Sequence, residues 1–388
     1  MRPRHLAALA ALCLTSAATA APDSARPRPS AFDYQPRDKD ERGLWMQMEE
    51  EERALKTSPF LIHDAELRSY VRGVLCRAVG TDACGSVRIY LIRSPYFNAA
   101  MAPNGMMHVY SGLLLRMRSE AELAAVLAHE FSHFEHQHSL RAFRDMRSKT
   151  TAMAWLSFVP YVGTLGQLAV AGTIFGFNRD MERQADLASI GYLADGGYEP
   201  EAAAAMWAQL RAEADATAAA RNHKSRKDRN GGFFATHPGS AERLGYLSAE
   251  ARTRRPAAPA RLDAEYRKAI VRWWPQFIDD QIKLNDFGGT DFLLTQLAAN
   301  GWTGDLLYAR AELLRARGGA GDFATAGDLY RKAIDAGGAK PLPENWRGLG
   351  LAMLRNCAEA DGRAALKQYL NARPDAADKA MIAMLAGE

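Results

Sequence analysis

The feature that most constrains this chain is the run from Ala121 to Leu140, AELAAVLAHEFSHFEHQHSL, which contains His129-Glu130-Phe131-Ser132-His133. Leu123, Val126, Leu127, Phe131 and Phe134 recur at helical spacing, which predicts an amphipathic helix. Residues four apart share a helix face, so the two imidazoles converge on one point. Two neutral histidine nitrogens placed this way suit a tetrahedral metal, with Glu130 beside a water on that metal. The competing reading is an exposed helix that is rich in histidine. His136 and His138 follow too closely on the same run to complete a metal site, and His136 reads as an exposed or core residue.

A catalytic zinc site needs a third protein ligand from another element. Glu182, in the run Glu182-Arg183-Gln184-Ala185-Asp186 of a second helical stretch, is the candidate. Asp186 lies one turn later on the same face and is placed to accept a hydrogen bond from a ligating imidazole.

The chain of 388 residues is long enough for two domains. Residues 1–20, MRPRHLAALAALCLTSAATA, have the layout of a secretory signal peptide: Arg2 and Arg4, an apolar core from Leu6 to Leu14, and an Ala18-Thr19-Ala20 cleavage site. Leu12 before Cys13 argues against a lipoprotein box. Net charge is +4 and cleavage removes Arg2 and Arg4, so charge makes no case for a nucleic-acid partner. The address expected is the periplasm. In such an oxidising compartment Cys76 and Cys84, which flank a Gly-containing turn, are expected to form a disulfide; two buried thiols are the alternative. Cys357 sits among helical residues and reads as a core position.

Residues 21–43 read as a flexible arm, rich in Pro, Arg and Asp. The four acids Glu49 to Glu52 read as the solvated face of a surface helix. Ala65 to Val79 has helical periodicity; Val87 to Ile92 and Met106 to Tyr110 read as strands. A strand edge near the metal helix could hold an extended substrate by β-augmentation, although packing explains the strands equally well. Residues 150–178 carry no charge. Pro160 and four glycines favour a buried or membrane-touching helical hairpin over a spanning helix. Residues 221–232, basic and Gly-rich, read as a surface loop. Residues 253–261 read as a linker. Beyond it, Tyr330/Ala333 and Tyr369/Ala372, with Trp346-x-x-Leu349-Gly350, suggest tetratricopeptide-like units spaced 39 apart instead of the usual 34.

Taken together, His129-Glu130-x-x-His133, Glu182-x-x-Ala185-Asp186, and Thr236-His237-Pro238 followed by Arg243 resemble the gluzincin metallopeptidases of the CAAX prenyl protease and heat-shock protease X family. Asn98-Ala99-x-Met101 to Gly112-Leu113 resembles the segment before that family's metal helix. Signal peptide and repeats are similar to the periplasmic, β-barrel assembly-enhancing branch. The resemblance implies a mainly α architecture. An α+β zincin-type peptidase domain with a small sheet spans residues 44–252, and an all-α tetratricopeptide-like domain spans 262–388.

It further implies one zinc ion per chain on His129, His133 and Glu182, with Glu130 as general base. His237 would either donate to the oxyanion or, the favoured reading, occupy the fourth zinc position as a latent gate. The expected activity is hydrolysis of peptide bonds in misfolded or stalled outer-membrane proteins. The repeats would dock to the assembly machinery, and residues 150–178 would touch the membrane peripherally. Two other readings stand beside it: a chaperone or scaffold that binds unfolded chains through the repeats, and a membrane-anchored protease.

Overall fold

The computed structural model describes residues 35–149, 177–225, 237, 241–338 and 340–388. The protein is mainly α with one small sheet. The first helix, α1 (Lys39–Lys56), is followed by α2 (Ala65–Val79) and the short α3 (Thr81–Cys84). Asp64 starts α2 by accepting from the amides of Glu66 and Leu67, which satisfies two of the orphan donors of the first turn. Cys76 and Cys84 are disulfide bonded across the α2–α3 turn.

Three strands follow: β1 (Arg88–Ile92), β2 (Ala99–Met101) and β3 (Met106–Tyr110). Their order is β1-β3-β2, with β1 parallel and β2 antiparallel to the central β3. The short β2 falls in a stretch that reads as turn from sequence, because three residues give no periodicity to detect.

Next come α4 (Ser111–Arg116), α5 (Glu120–Glu135) and α6 (His138–Lys149). Ser119 caps α5 by accepting from the amide of Glu122 at 3.2 Å. The expected single helix over Ala121 to Leu140 is in fact two, because Gln137 takes a left-handed φ of 54° between them. Nor is α5 amphipathic: every residue from Glu120 to Phe134 is buried. It is covered by α2, β2, α7 (Arg179–Asp195) and α8 (Glu201–Ala220), and α9 (Ala241–Thr253) packs on α7 and α8.

The remaining helices are α10 (Asp263–Ile270), α11 (Trp274–Ile282), α12 (Phe287–Leu297), α13 (Gly304–Arg317), α14 (Asp322–Ala336), α15 (Pro343–Arg355), α16 (Glu359–Ala372) and α17 (Lys379–Ala386). One buried cluster runs from Ile62 through α5 to Tyr266, Phe277, Leu294 and Leu313. Residues read as linker are held by backbone bonds: Ala260 exchanges with Gly197 and Glu199, and the Ala121 amide donates to the Arg261 carbonyl at 3.1 Å. Arg93 bridges to Asp280 with bonds of 2.6 and 2.7 Å, and the Tyr266 hydroxyl donates to the Leu114 carbonyl. The first helices after the linker therefore share the core of the preceding domain, and only the later ones form separate small clusters.

Helix α1 is solvated on one face, where Glu49 and Glu50 are exposed, and buried on the other. Leu44 and Met48 pack with Leu140 and Phe143 of α6. Glu52 is buried and accepts 2.7 Å bonds from Arg88 and a 2.6 Å bond from Tyr90. The Arg88 bonds hold its carboxyl down at about 2. The acidic run is thus in part an anchor to the sheet. Cys357, read as core, is exposed in the α15–α16 turn at φ 59°. Of the uncharged run, only Phe177 and Asn178 are described, so the expected hairpin lies outside the described residues. Among the described residues no helix is long and apolar enough to cross a membrane.

Candidate metal centre

The i, i+4 spacing on α5 brings His129 Nε2 and His133 Nε2 to 3.1 Å. Helix α7 packs along α5 and begins at Asn178, whose side chain accepts from the Met181 amide at 2.9 Å. That start places Glu182 in the first turn, with Oε1 3.3 Å from His133 Nε2 and Oε2 3.6 Å from His129 Nε2. Of residues 226–240 only His237 is described. Its Nδ1 lies 3.2 Å from His129 Nε2 and 2.9 Å from Glu182 Oε1.

Four ligand-type atoms therefore converge, all within 4.8 Å of one another and all on buried residues. Zinc bonds of about 2.0–2.1 Å in a tetrahedron give edges of about 3.3–3.4 Å. The separations of 2.9, 3.1, 3.2, 3.3 and 3.6 Å, taken over both oxygens of Glu182, scatter around that figure. Two imidazoles and a carboxylate meeting edge to edge cannot all be satisfied by their own few protons, and a cation at their centre would satisfy them together. The donor set fits zinc.

Electrostatics point the same way. Glu182, Glu130 and Asp186 are buried carboxylates, and Arg243 is ion-paired with Glu182 and Asp186. Burial works to raise Glu182, but the charge and hydrogen bonds of His237 and His133 outweigh it and hold the carboxyl well below its usual range. Burial pulls His237 down, and Glu182 with Glu130 reverses that and holds it up. Glu130 is pushed up by burial. Its Oε1 has no hydrogen-bond partner among the described residues and lies 3.4 Å from His237 Nε2. A carboxylate buried, raised and poised beside a metal-type cluster is suited to take a proton.

Asp186 stands where its spacing placed it, with Oδ1 3.1 Å from His129 Nδ1. Arg243 was legible only as part of a motif, without a role. Its guanidinium makes two 2.6 Å bonds to Asp186 and reaches Glu182 Oε2 at 2.9 Å. It also lies 3.8 Å over the Trp207 ring. Tyr246 donates a further bond to Asp186. His136 is half-buried and bonds back to Ser132, away from the cluster. His138, set aside as a ligand, is fully buried with Nδ1 2.9 Å from His133 Nδ1. Phe177 stacks on His133 at 3.9 Å. Neither contact had a sequence signal, since both depend on how the chain turns after α5 and before α7.

Known proteins are similar to this part of the chain. Residues 62–251 match Peptidase family M48. A mitochondrial metalloendopeptidase OMA1 of Schizosaccharomyces pombe is 29% identical over 180 residues, 45% of this chain and 50% of that protein. The putative β-barrel assembly-enhancing protease of Vibrio cholerae is 29% identical over 172 residues, 41% of this chain and 36% of that one. The β-barrel assembly-enhancing protease of Escherichia coli is 28% identical over 167 residues, covering 39% and 34%. The chain thus spans half or less of the length of these relatives. All four converging residues, with Glu130, Asp186 and Arg243, fall inside the matched segment. Over residues 62–251 the chain is therefore similar to the peptidases of family M48.

Proposed function

We propose that the chain is a zinc-dependent metalloendopeptidase of the cell envelope, acting in the periplasm on misfolded or stalled outer-membrane proteins. One observation carries the chemistry: His129 and His133 Nε2 stand 3.1 Å apart and 3.3–3.6 Å from the Glu182 carboxylate, beside the buried Glu130 Oε1, which has no hydrogen-bond partner among the described residues. Zinc bound there would polarise a peptide carbonyl and make its water acidic near neutral pH. His129 and His133 offer bare Nε2 atoms, and Asp186 keeps the proton of His129 on Nδ1. Arg243 holds Asp186 and Glu182 in place and offsets their charge. Glu130 takes a proton from the attacking water at Oε1 and passes it to the leaving amine.

His237 supports the latent-gate reading, because its Nδ1 stands among the ligand atoms, 3.2 Å from His129 Nε2 and 2.9 Å from Glu182 Oε1. The named relatives from Vibrio and Escherichia support the substrate class, and the signal-type sequence at residues 1–20 supports the address. Docking of the helices beyond residue 262 to an assembly machinery is part of the same proposal.

The test is digestion of an unfolded model protein by zinc-loaded, metal-stripped and zinc-restored chain, with Glu130→Gln and His237→Ala beside the wild type. Cleavage that requires zinc, falls about 10²–10⁴-fold in Glu130→Gln and rises in His237→Ala is expected. Zinc-independent cleavage would remove the reading. Lower activity in His237→Ala would remove the gate and favour the oxyanion role.

A further inference from the structure

The turn that ends α5 does more than reverse the chain. His136 closes the helix with its amide on the Ser132 carbonyl at 3.0 Å, and the Gln137 amide donates to Phe134 at 2.9 Å. With Gln137 left-handed, His138 folds back under the helix that has just ended. In a continuous helix, residues five apart point in widely different directions and do not meet. Here His138 Nδ1 lies 2.9 Å from His133 Nδ1, and its Nε2 lies 3.0 Å from Gln184 Oε1 on α7. Gln184 stands two residues beyond the ligand candidate Glu182.

Proton bookkeeping along this line has one outcome. A carboxamide oxygen only accepts, so His138 Nε2 carries a hydrogen and its Nδ1 is a bare acceptor. His133 Nδ1 must then donate to it, which leaves His133 Nε2 bare and turned toward His129 and Glu182. The reverse arrangement would place a hydrogen on His133 Nε2 in the middle of the ligand atoms. His129 reaches the same state by a different device, with Nδ1 toward the Asp186 carboxylate. Phe177 covers one face of His133 at an interplanar angle of 18°, so the ring is confined in its plane as well.

We propose that His138 and Gln184 form a neutral relay that positions His133 for metal binding, the counterpart of Asp186 behind His129. The relay has no charge for a reason. A second carboxylate behind His133 would add a fourth buried acid to Glu130, Glu182 and Asp186, with Arg243 already shared between two of them. A histidine bonded to an amide oxygen supplies the same acceptor geometry without that charge.

This inference rests on the zinc reading, and the experiment separates the two. Zinc affinity is measured by competition with a chelating indicator on the full mature chain, alongside the rise in Tm that zinc produces. Wild type is compared with His138→Leu, Gln184→Leu and Gln184→Glu. Expected are one tight zinc in wild type and about 10–100-fold weaker binding in His138→Leu. Gln184→Leu should weaken binding in the same direction, and Gln184→Glu, which still accepts from His138 Nε2, should bind better than Gln184→Leu. Wild-type affinity in a folded His138→Leu or in Gln184→Leu would overturn the relay while leaving the zinc reading intact. Equal losses in the two Gln184 variants would overturn it too, since that is the mark of packing and not of an acceptor. A wild type that takes up no zinc would end both. If His138→Leu does not fold, the Gln184 pair decides alone.

Discussion

Helix α5 and the helices that close the chain bury themselves in opposite ways. In α5 every residue from Glu120 to Phe134 is buried, including Glu120, Glu122, His129, Glu130 and His133. In α14 one stripe is buried, Asp322, Ala326, Gly327, Tyr330 and Ala333, and Leu349, Ala352 and Met353 of α15 share a cluster with Ala326, Tyr330 and Ala333. The first arrangement keeps polar groups inside by pairing them. Tyr70 and Tyr198 both donate to Glu120, and Arg118 binds Glu122. The second relies on close approach of small residues to large ones, as where Gly348 and Gly350 admit Tyr330 and Leu366. The α5 region therefore gives up stability for a charged interior that can do chemistry, and the terminal helices give up chemistry for a surface built by packing.

The largest way to test that contrast is Arg243→Leu. Removing the guanidinium leaves Asp186 and Glu182 buried without their cation, which is expected to cost about 3–5 kcal/mol. Urea unfolding followed by tryptophan fluorescence would read the loss. A cost under about 1 kcal/mol would show that water reaches these acids and that the interior is not closed.

Gly348→Ala is the matching test in the terminal helices. An added Cβ would sit 2.3 Å from the Tyr330 ring, so a cost of about 1–3 kcal/mol is expected. Cleavage of a short unfolded peptide should be unchanged, because the affected contacts lie in a separate cluster. Loss of that activity would show that the two regions are coupled.

Glu51→Gln sharpens the contrast at its weakest point. Burial pushes the Glu51 carboxyl up to about 7, and its Oε1 has no hydrogen-bond partner among the described residues. The folded chain thus holds this proton more tightly than the unfolded one. The contribution is fully present below the usual carboxylate range near 4.5 and is lost as pH rises through about 7. Glu51→Gln should raise Tm at pH 8 by an amount worth about 1 kcal/mol and change little at pH 4.5. An equal effect at both values would mean the carboxyl is not buried against α1's neighbours.

Much of the candidate site was legible because its signals are local. His129 and His133 share a face by their spacing alone, and Glu182 and Asp186 do so again on α7. The misreadings share a cause. Glu49 and Glu50 are exposed as read, but Glu52 looked solvated too because nothing nearby in the chain announces Arg88 and Tyr90. Ala121 to Leu140 looked like one helix because the left-handed turn falls on a glutamine, not on a glycine. The boundary at 253–261 is marked by composition, while the buried cluster continues through it to Leu313.

By itself, then, the sequence determined that His129 and His133 share one helix face and Glu182 and Asp186 another, since helical periodicity is a property of a few consecutive residues. Only the tertiary structure decided how those side chains are held. Gln184 reaches His138 across 46 positions, and Arg243 reaches Asp186 across 57. A hydrogen bond between residues so far apart depends on how whole helices pack, and no local pattern encodes it.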